Sequence, residues 1–191
     1  MNPSNLVNKR FTIETLTKIS GVNKKTKKDW YGIASEMLRL SPNSWSNGRC
    51  NHHMIQDGIN ALSNGIFSEG GQGKGKADCY FQGGRVETKA YNSKDKETRV
   101  SASRFFGSNS GTAEYKKLLE EDSQKAKELL FKHSYDGNDY YLLTRTSKLQ
   151  DHLKDVELIF IEKEKFIKCL TDVGTHAIME KLYEQVEALE V

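Results

Sequence analysis

The residues best suited to chemistry fall in one short stretch. Ala77-Asp78-Cys79-Tyr80-Phe81-Gln82 and Arg85-Val86-Glu87-Thr88-Lys89-Ala90-Tyr91 alternate in character on either side of Gly83-Gly84. A period of two marks a half-buried strand, and two glycines between such segments predict a tight hairpin, because glycine accepts positive φ at both turn positions. With Gly83-Gly84 at the turn, Gln82 faces Arg85, Phe81 faces Val86, Tyr80 faces Glu87, Cys79 faces Thr88 and Asp78 faces Lys89. Side chains alternate across a strand, so Asp78, Tyr80, Glu87 and Lys89 share one face. Ala77, Cys79, Phe81, Val86, Thr88 and Ala90 share the other, which suits a core.

The polar face gathers two carboxylates and one ammonium. Two carboxylates, helped by a backbone carbonyl such as that of Thr88, suit a hard cation such as Mg²⁺. Such a cation stabilises charge on a scissile phosphate and acidifies a water, and a lysine on the same face orients that water. The set therefore points to metal-dependent phosphodiester cleavage, with Asp78, Glu87 and Lys89 catalytic and Asp78, Glu87 and Thr88 as metal ligands. A bare Glu-x-Lys carries little weight: 16 Glu and 22 Lys predict about two chance matches in this chain, and two occur. The other, Glu114-Tyr115-Lys116, sits on a predicted helix, where residues two apart do not face each other. Only Glu87 follows a strand bearing an aspartate across a tight turn.

Asp78, nine residues on, then Glu87-Thr88-Lys89 resembles the D-x(n)-(D/E)-x-K signature of the PD-(D/E)xK nucleases, whose fold is restriction-endonuclease-like. Helices before and after the hairpin and strands at 140–144 and 156–161 resemble that family's αβββαβ core, over roughly residues 29–165. Ala77 stands where the signature often has proline. The resemblance implies an α/β domain with a central mixed β-sheet flanked by helices, Mg²⁺-dependent cleavage of double-stranded DNA, and a homodimer. Many such nucleases add an acid from the preceding helix; Glu36 is the first candidate here and Glu69 the second. A type II restriction enzyme is the expected subtype. The alternatives are a phage or repair nuclease, including a junction resolvase, or a DNA-binding protein without catalysis.

The elements that must position this cluster are legible from period and punctuation. Thr12 precedes a helix with Ile13, Leu16 and Ile19 inward, ended by Gly21. A lysine-rich turn, Asn23 to Lys28, leads to a helix from Asp29 with Trp30, Ile33, Ala34, Met37 and Leu38 inward. A third helix runs from about His52 to Leu62, after a loop through Pro42, and Ser68 to Lys76 reads as a glycine-rich loop. Residues 92–112 form a long polar loop, and long loops usually serve function. Lys94, Lys96, Arg99, Arg104 and Asn109 are its candidate DNA contacts, the lysines for phosphates and the arginines for guanine edges. A helix at 113–132, the strands, a short helix at 148–154 and an amphipathic tail from Thr175 complete the chain. The tail's stripe, Ile178, Met179, Leu182, Val186 and Leu189, is the candidate dimer seam. The reading is one domain over 1–191, with a helical subregion at 1–50, a catalytic core at 52–165 and a C-terminal helix at 174–191.

Composition narrows the classes. The chain has 191 residues, 36% of them hydrophobic, enough for one domain with its own core. Cys50, Cys79 and Cys169 lie far apart, which excludes a disulfide scaffold or zinc ribbon and points to a reducing compartment. His52 and His53 beside Cys50 lack a matching ligand pair, and Gly70 to Lys76 lacks the GxxxxGK[ST] spacing of a phosphate-binding loop. No apolar run or leader suggests export or a membrane span, so the expected setting is the cytoplasm of a bacterium or a phage-infected cell. The net charge of +3 hides a division: residues 71–104 carry eight basic against four acidic groups, and residues 105–191 carry 12 against 17. A basic front and middle suits a polyanion on one side of the molecule.

Overall fold

The computed structural model describes residues 1–40, 51–71, 76–91, 99–102, 109–145 and 153–190, at 51–53, 55 and 109–112 through the backbone alone. A seven-stranded mixed sheet forms its middle layer. Its strands are β1 (Lys9–Thr12), β2 (Phe67–Glu69), β3 (Cys79–Phe81), β4 (Gly84–Tyr91), β6 (Tyr140–Arg145), β7 (Glu157–Glu162) and β9 (Glu187–Ala188), in the order β2-β3-β4-β6-β7-β1-β9. The pairs β2–β3, β3–β4, β6–β7 and β7–β1 are antiparallel; β4–β6 and β1–β9 are parallel. β5 (Arg99–Ser101) and β8 (His176–Ile178) form a separate antiparallel pair.

Helices cover both faces of the large sheet. α1 (Ile13–Ser20), α2 (Lys24–Leu40) and α3 (Asn51–Leu62) close one core with Phe67, Phe81, Val86, Leu142 and Phe160. α4 (Asn109–Glu121), α5 (Ser123–Ser134), α6 (Lys163–Lys168) and α7 (Met179–Gln185) close the other with Tyr141, Leu143, Ile159 and Ile161. The apolar runs in β6 and β7 follow from this: strands covered on both faces have no solvent side to alternate with. Burying each of these large side chains contributes about 1.5–3 kcal/mol. The architecture is thus mixed α/β, a central sheet between helical layers, and among the described residues no helix is long and apolar enough to cross a membrane.

Local signals explain several boundaries. Thr12 caps α1 by accepting the Thr15 N–H at 3.1 Å, and Gly21 ends it in the left-handed region at φ 62°. α2 begins earlier than its periodicity suggests, at Lys24, because Asn23 Oδ1 accepts the Thr26 N–H at 2.8 Å and starts the helix through the supposed turn. Its inward row is Trp30, Ala34 and Leu38; Ile33 and Met37 point outward, 62% and 43% exposed. The long helix expected at 113–132 is broken at Asp122, whose side chain caps α5 at the Lys125 N–H. β2 takes Ser68 and Glu69 from the expected glycine-rich loop, and β5 interrupts the expected loop at 92–112. Of the predicted helix at 148–154, Leu153 and Lys154 open a 3₁₀ turn, Leu153–Asp155, and the rest lie outside the described residues.

The C-terminal tail is not one helix. It divides into β8, α7 and β9, and Met179 and Leu182 are fully buried against α6 and the sheet, with Val186 nearly so. Met179, Leu182 and Val186 thus pack inside their own chain and are not available as a seam between two copies, while Ile178 and Leu189 are half-buried.

Candidate functional site

The hairpin forms one step earlier than its glycines suggest. Gln82 and Gly83 occupy the turn with φ 49° and 84°, the left-handed pair of a type I′ turn, and the register is Phe81↔Gly84, Tyr80↔Arg85 and Cys79↔Val86. Gly84 is already strand. A Cβ there would lie 2.7 Å from the Tyr140 ring, so glycine serves close packing against β6 and not the turn. The expected pairings of Tyr80 with Glu87 and Asp78 with Lys89 are therefore displaced. The displacement is by two residues, and strand side chains repeat every two, so the two faces keep their expected membership. One residue beyond the pair Cys79↔Val86, Asp78 lies across from Glu87.

At that point β3 and β4 part. Ala77 turns its carbonyl to the Gly71 N–H at 3.0 Å, and the next N–H on β4, that of Thr88, passes to the Asp78 side chain. Asp78 Oδ2 accepts the Thr88 N–H at 2.8 Å and the Thr88 hydroxyl at 2.9 Å. Lys89 Nζ donates to Glu87 Oε1 at 2.6 Å, with the two side chains 16% and 29% exposed. Asp78 Oδ1 and Glu87 Oε2 accept no hydrogen bond from any described residue. The N–H and C=O of a strand residue point to the same side, so the Thr88 carbonyl also faces the edge that β3 leaves. The Cys79 thiol beneath registers this negative setting: burial first, then the Asp78 and Glu87 carboxylates, push it up to about 12.

The remaining candidates are dispersed. Glu36 is on the outer side of α2, 58% exposed and paired with Arg39, which holds its carboxyl below the usual range. Glu69 is exposed on β2, across from Cys79. Arg99 is exposed on β5 and Asn109 is the first residue of α4, so neither lies in a loop. Lys94, Lys96, Arg104 and Cys50 lie outside the described residues. Among the described residues no group of three or more His, Cys, Asp or Glu side chains converges as a metal cage.

Two contributors escape the sequence reading. Gln56 of α3 donates its amide to the Asp78 carbonyl at 2.5 Å, tying the acid to the helix before the hairpin. A polar residue three before the buried Ile59, hence on the inward side of α3, is the signal that marks it. The Thr88 hydroxyl is the other; its place on the core face gives no hint that it turns to Asp78.

No family model, no curated protein and no solved structure matches this chain. Its class therefore rests on its own architecture, a three-layer α/β domain whose mixed sheet carries two carboxylates and a lysine where an antiparallel pair of strands forks.

Proposed function

We propose that this protein is a Mg²⁺-dependent DNA endonuclease of the PD-(D/E)xK class, with Asp78, Glu87 and Lys89 as its catalytic cluster. One observation carries the reading: Asp78, one residue past the last paired residues Cys79 and Val86, holds Thr88 at the fork of β3 and β4, and the Lys89 ammonium stands 2.6 Å from the neighbouring Glu87. The surrounding connectivity supports it. Within the large sheet, helix α3, the antiparallel run β2–β3–β4 and, after β5 (which pairs outside this sheet) and helices α4 and α5, β6 parallel to β4 are in keeping with the αβββαβ order that the resemblance implies.

The donor set fits the cation. Asp78, Glu87 and the Thr88 carbonyl offer only oxygen, and Mg²⁺ usually keeps several waters and needs one or two carboxylates, so a three-carboxylate cage is not required. Bound there, Mg²⁺ would supply positive charge to the scissile phosphate and lower the pKa of the attacking water. Lys89 neutralises phosphate charge and orients that water through its N–H groups. Glu87 holds the ammonium at the site, and Thr88 holds Asp78. Glu36, tied to Arg39, stays outside this scheme.

The substrate we propose is double-stranded DNA, met by Arg99 on β5 and by Lys94, Lys96 and Arg104 on either side of it in sequence. A palindrome-cutting enzyme of this size works as a homodimer, since one cluster cuts one strand per encounter. A type II restriction enzyme remains the favoured subtype, acting in the cytoplasm of a bacterium or phage-infected cell. The rival reading, a DNA-binding protein without catalysis, is favoured by Lys24, Lys25 and Lys28, exposed at the start of α2 with no acid in its first turn. Supercoiled plasmid with Mg²⁺ tests these readings. Discrete linear bands that vanish in Asp78→Asn support restriction; random degradation or a preference for branched DNA supports repair. A mobility shift with no cleavage in Mg²⁺ or Mn²⁺ overturns the nuclease reading.

A further inference from the structure

Asp78 is held at more points than a solvent-facing ligand requires. Its Oδ2 accepts two bonds from Thr88, at 2.8 and 2.9 Å, and its carbonyl accepts the Gln56 amide at 2.5 Å. Gly70 lies so close that a Cβ there would stand 2.1 Å from the Ala77 carbonyl oxygen and 2.4 Å from that of Asp78. Backbone and one carboxylate oxygen are both fixed, which leaves only Oδ1 without a hydrogen bond from a described residue. Thr88 itself is 6% exposed. A valine of nearly the same shape would fill that place without burying a hydroxyl, so the hydroxyl's contribution lies in the bond it makes to the acid.

We infer that Thr88 and Gln56 are positioning residues that restrict Asp78 to a one-oxygen ligand and so select a small octahedral cation over Ca²⁺. The inference rests on the catalytic reading above. Ca²⁺ accepts carboxylates through one or two oxygens in a flexible shell, whereas Mg²⁺, which Mn²⁺ mimics, demands near-octahedral geometry. With the Thr88 hydroxyl in place, Oδ2 is doubly occupied and two-oxygen ligation costs both bonds. Without it, one N–H remains and the carboxylate can swing into the geometry that suits Ca²⁺.

The experiment measures cation binding directly, with no DNA and no turnover. Mn²⁺ is titrated into the full chain and followed by electron paramagnetic resonance, and Ca²⁺ is measured by competition. Thr88→Val should weaken Mn²⁺ about tenfold, in the range of outer-shell changes at metal sites, with Ca²⁺ affinity held or raised. Thr88→Ser should restore the wild-type preference, and Gln56→Leu should lower Mn²⁺ affinity in the same direction. Urea unfolding of each variant confirms that the folded protein is titrated. Unchanged Mn²⁺ affinity in both Thr88→Val and Gln56→Leu overturns the inference, and so does an equal loss of Mn²⁺ and Ca²⁺, the signature of a merely structural role. Asp78→Asn separates the two levels. If it abolishes Mn²⁺ binding while the Thr88 and Gln56 variants do nothing, the positioning role fails and the catalytic reading stands; if it binds Mn²⁺ normally, both fall.

Discussion

Glu87 and Lys89 offer a quantitative test of the site that needs no substrate. Their charged atoms are 2.6 Å apart, and neither side chain is more than a third exposed. At an effective dielectric of about 20–40, appropriate to a half-buried pair, the direct attraction is roughly 3–6 kcal/mol. Desolvation of both ions and ordering of the long lysine return most of it, leaving about 1–2 kcal/mol, above the typical value for exposed pairs. The perturbation is a double-mutant cycle of Glu87→Gln, Lys89→Met and the double variant, read by urea unfolding. A coupling near 1–2 kcal/mol is expected. On the proposed nuclease reading the same variants carry a second signature, because the ammonium would compete with a divalent cation for Glu87. Lys89→Met should bind Ca²⁺ several-fold more tightly than wild type while cleavage falls by at least about 10²-fold. A coupling below about 0.3 kcal/mol, or weaker Ca²⁺ binding by Lys89→Met, would refute the placement of the lysine on Glu87.

Other substitutions probe the frame around the site. Gly70→Ala should destabilise the chain by about 1–3 kcal/mol in urea, because the new Cβ meets two backbone carbonyls that cannot retreat as a flexible side chain would. Leu182→Ala should cost about 2–5 kcal/mol without changing the sedimentation of the folded protein, since Leu182 is wholly buried in its own chain; dissociation of a dimer with no loss of stability would contradict this. Glu14 bonds Lys27 at 2.9 Å, and this bond, acting before all other causes, holds its carboxyl below the ordinary 4.5. A depressed folded value means the stabilisation is present above the unfolded value and is lost as pH falls through the folded one. Glu14→Gln should therefore flatten the acid limb of stability below about pH 4.5, by at most about 1 kcal/mol for this partly exposed pair, in pH-dependent urea titrations. An acid limb unchanged by the substitution would count against the ion pair.

What the sequence determines here is which side chains share a surface. Period two in 77–91 puts Asp78, Glu87 and Lys89 on one face in both the expected and the observed register, because the two differ by two residues and such a slip preserves every side. Thr12, Gly21 and the unbroken apolar runs of β6 and β7 mark caps and doubly covered strands for similarly local reasons. Partners are another matter. Local pattern encodes how much of a side chain wants burial, and many neighbours satisfy that equally, so contact is decided when distant segments pack. The glycine at 84 serves the packing of Tyr140, 56 residues on, which leaves no room for a Cβ above it, and the turn itself falls on Gln82 and Gly83. Met179, Leu182 and Val186 have the same hydrophobicity against a second copy as against their own core; only the arrival of α6 and the sheet chose between them. Asp78 gained Gln56 and the Thr88 hydroxyl as β3 and β4 diverged and α3 packed beside them. Glu36 sits on a helix whose inward row is Trp30, Ala34 and Leu38, and that choice of row left its carboxylate on the surface with Arg39.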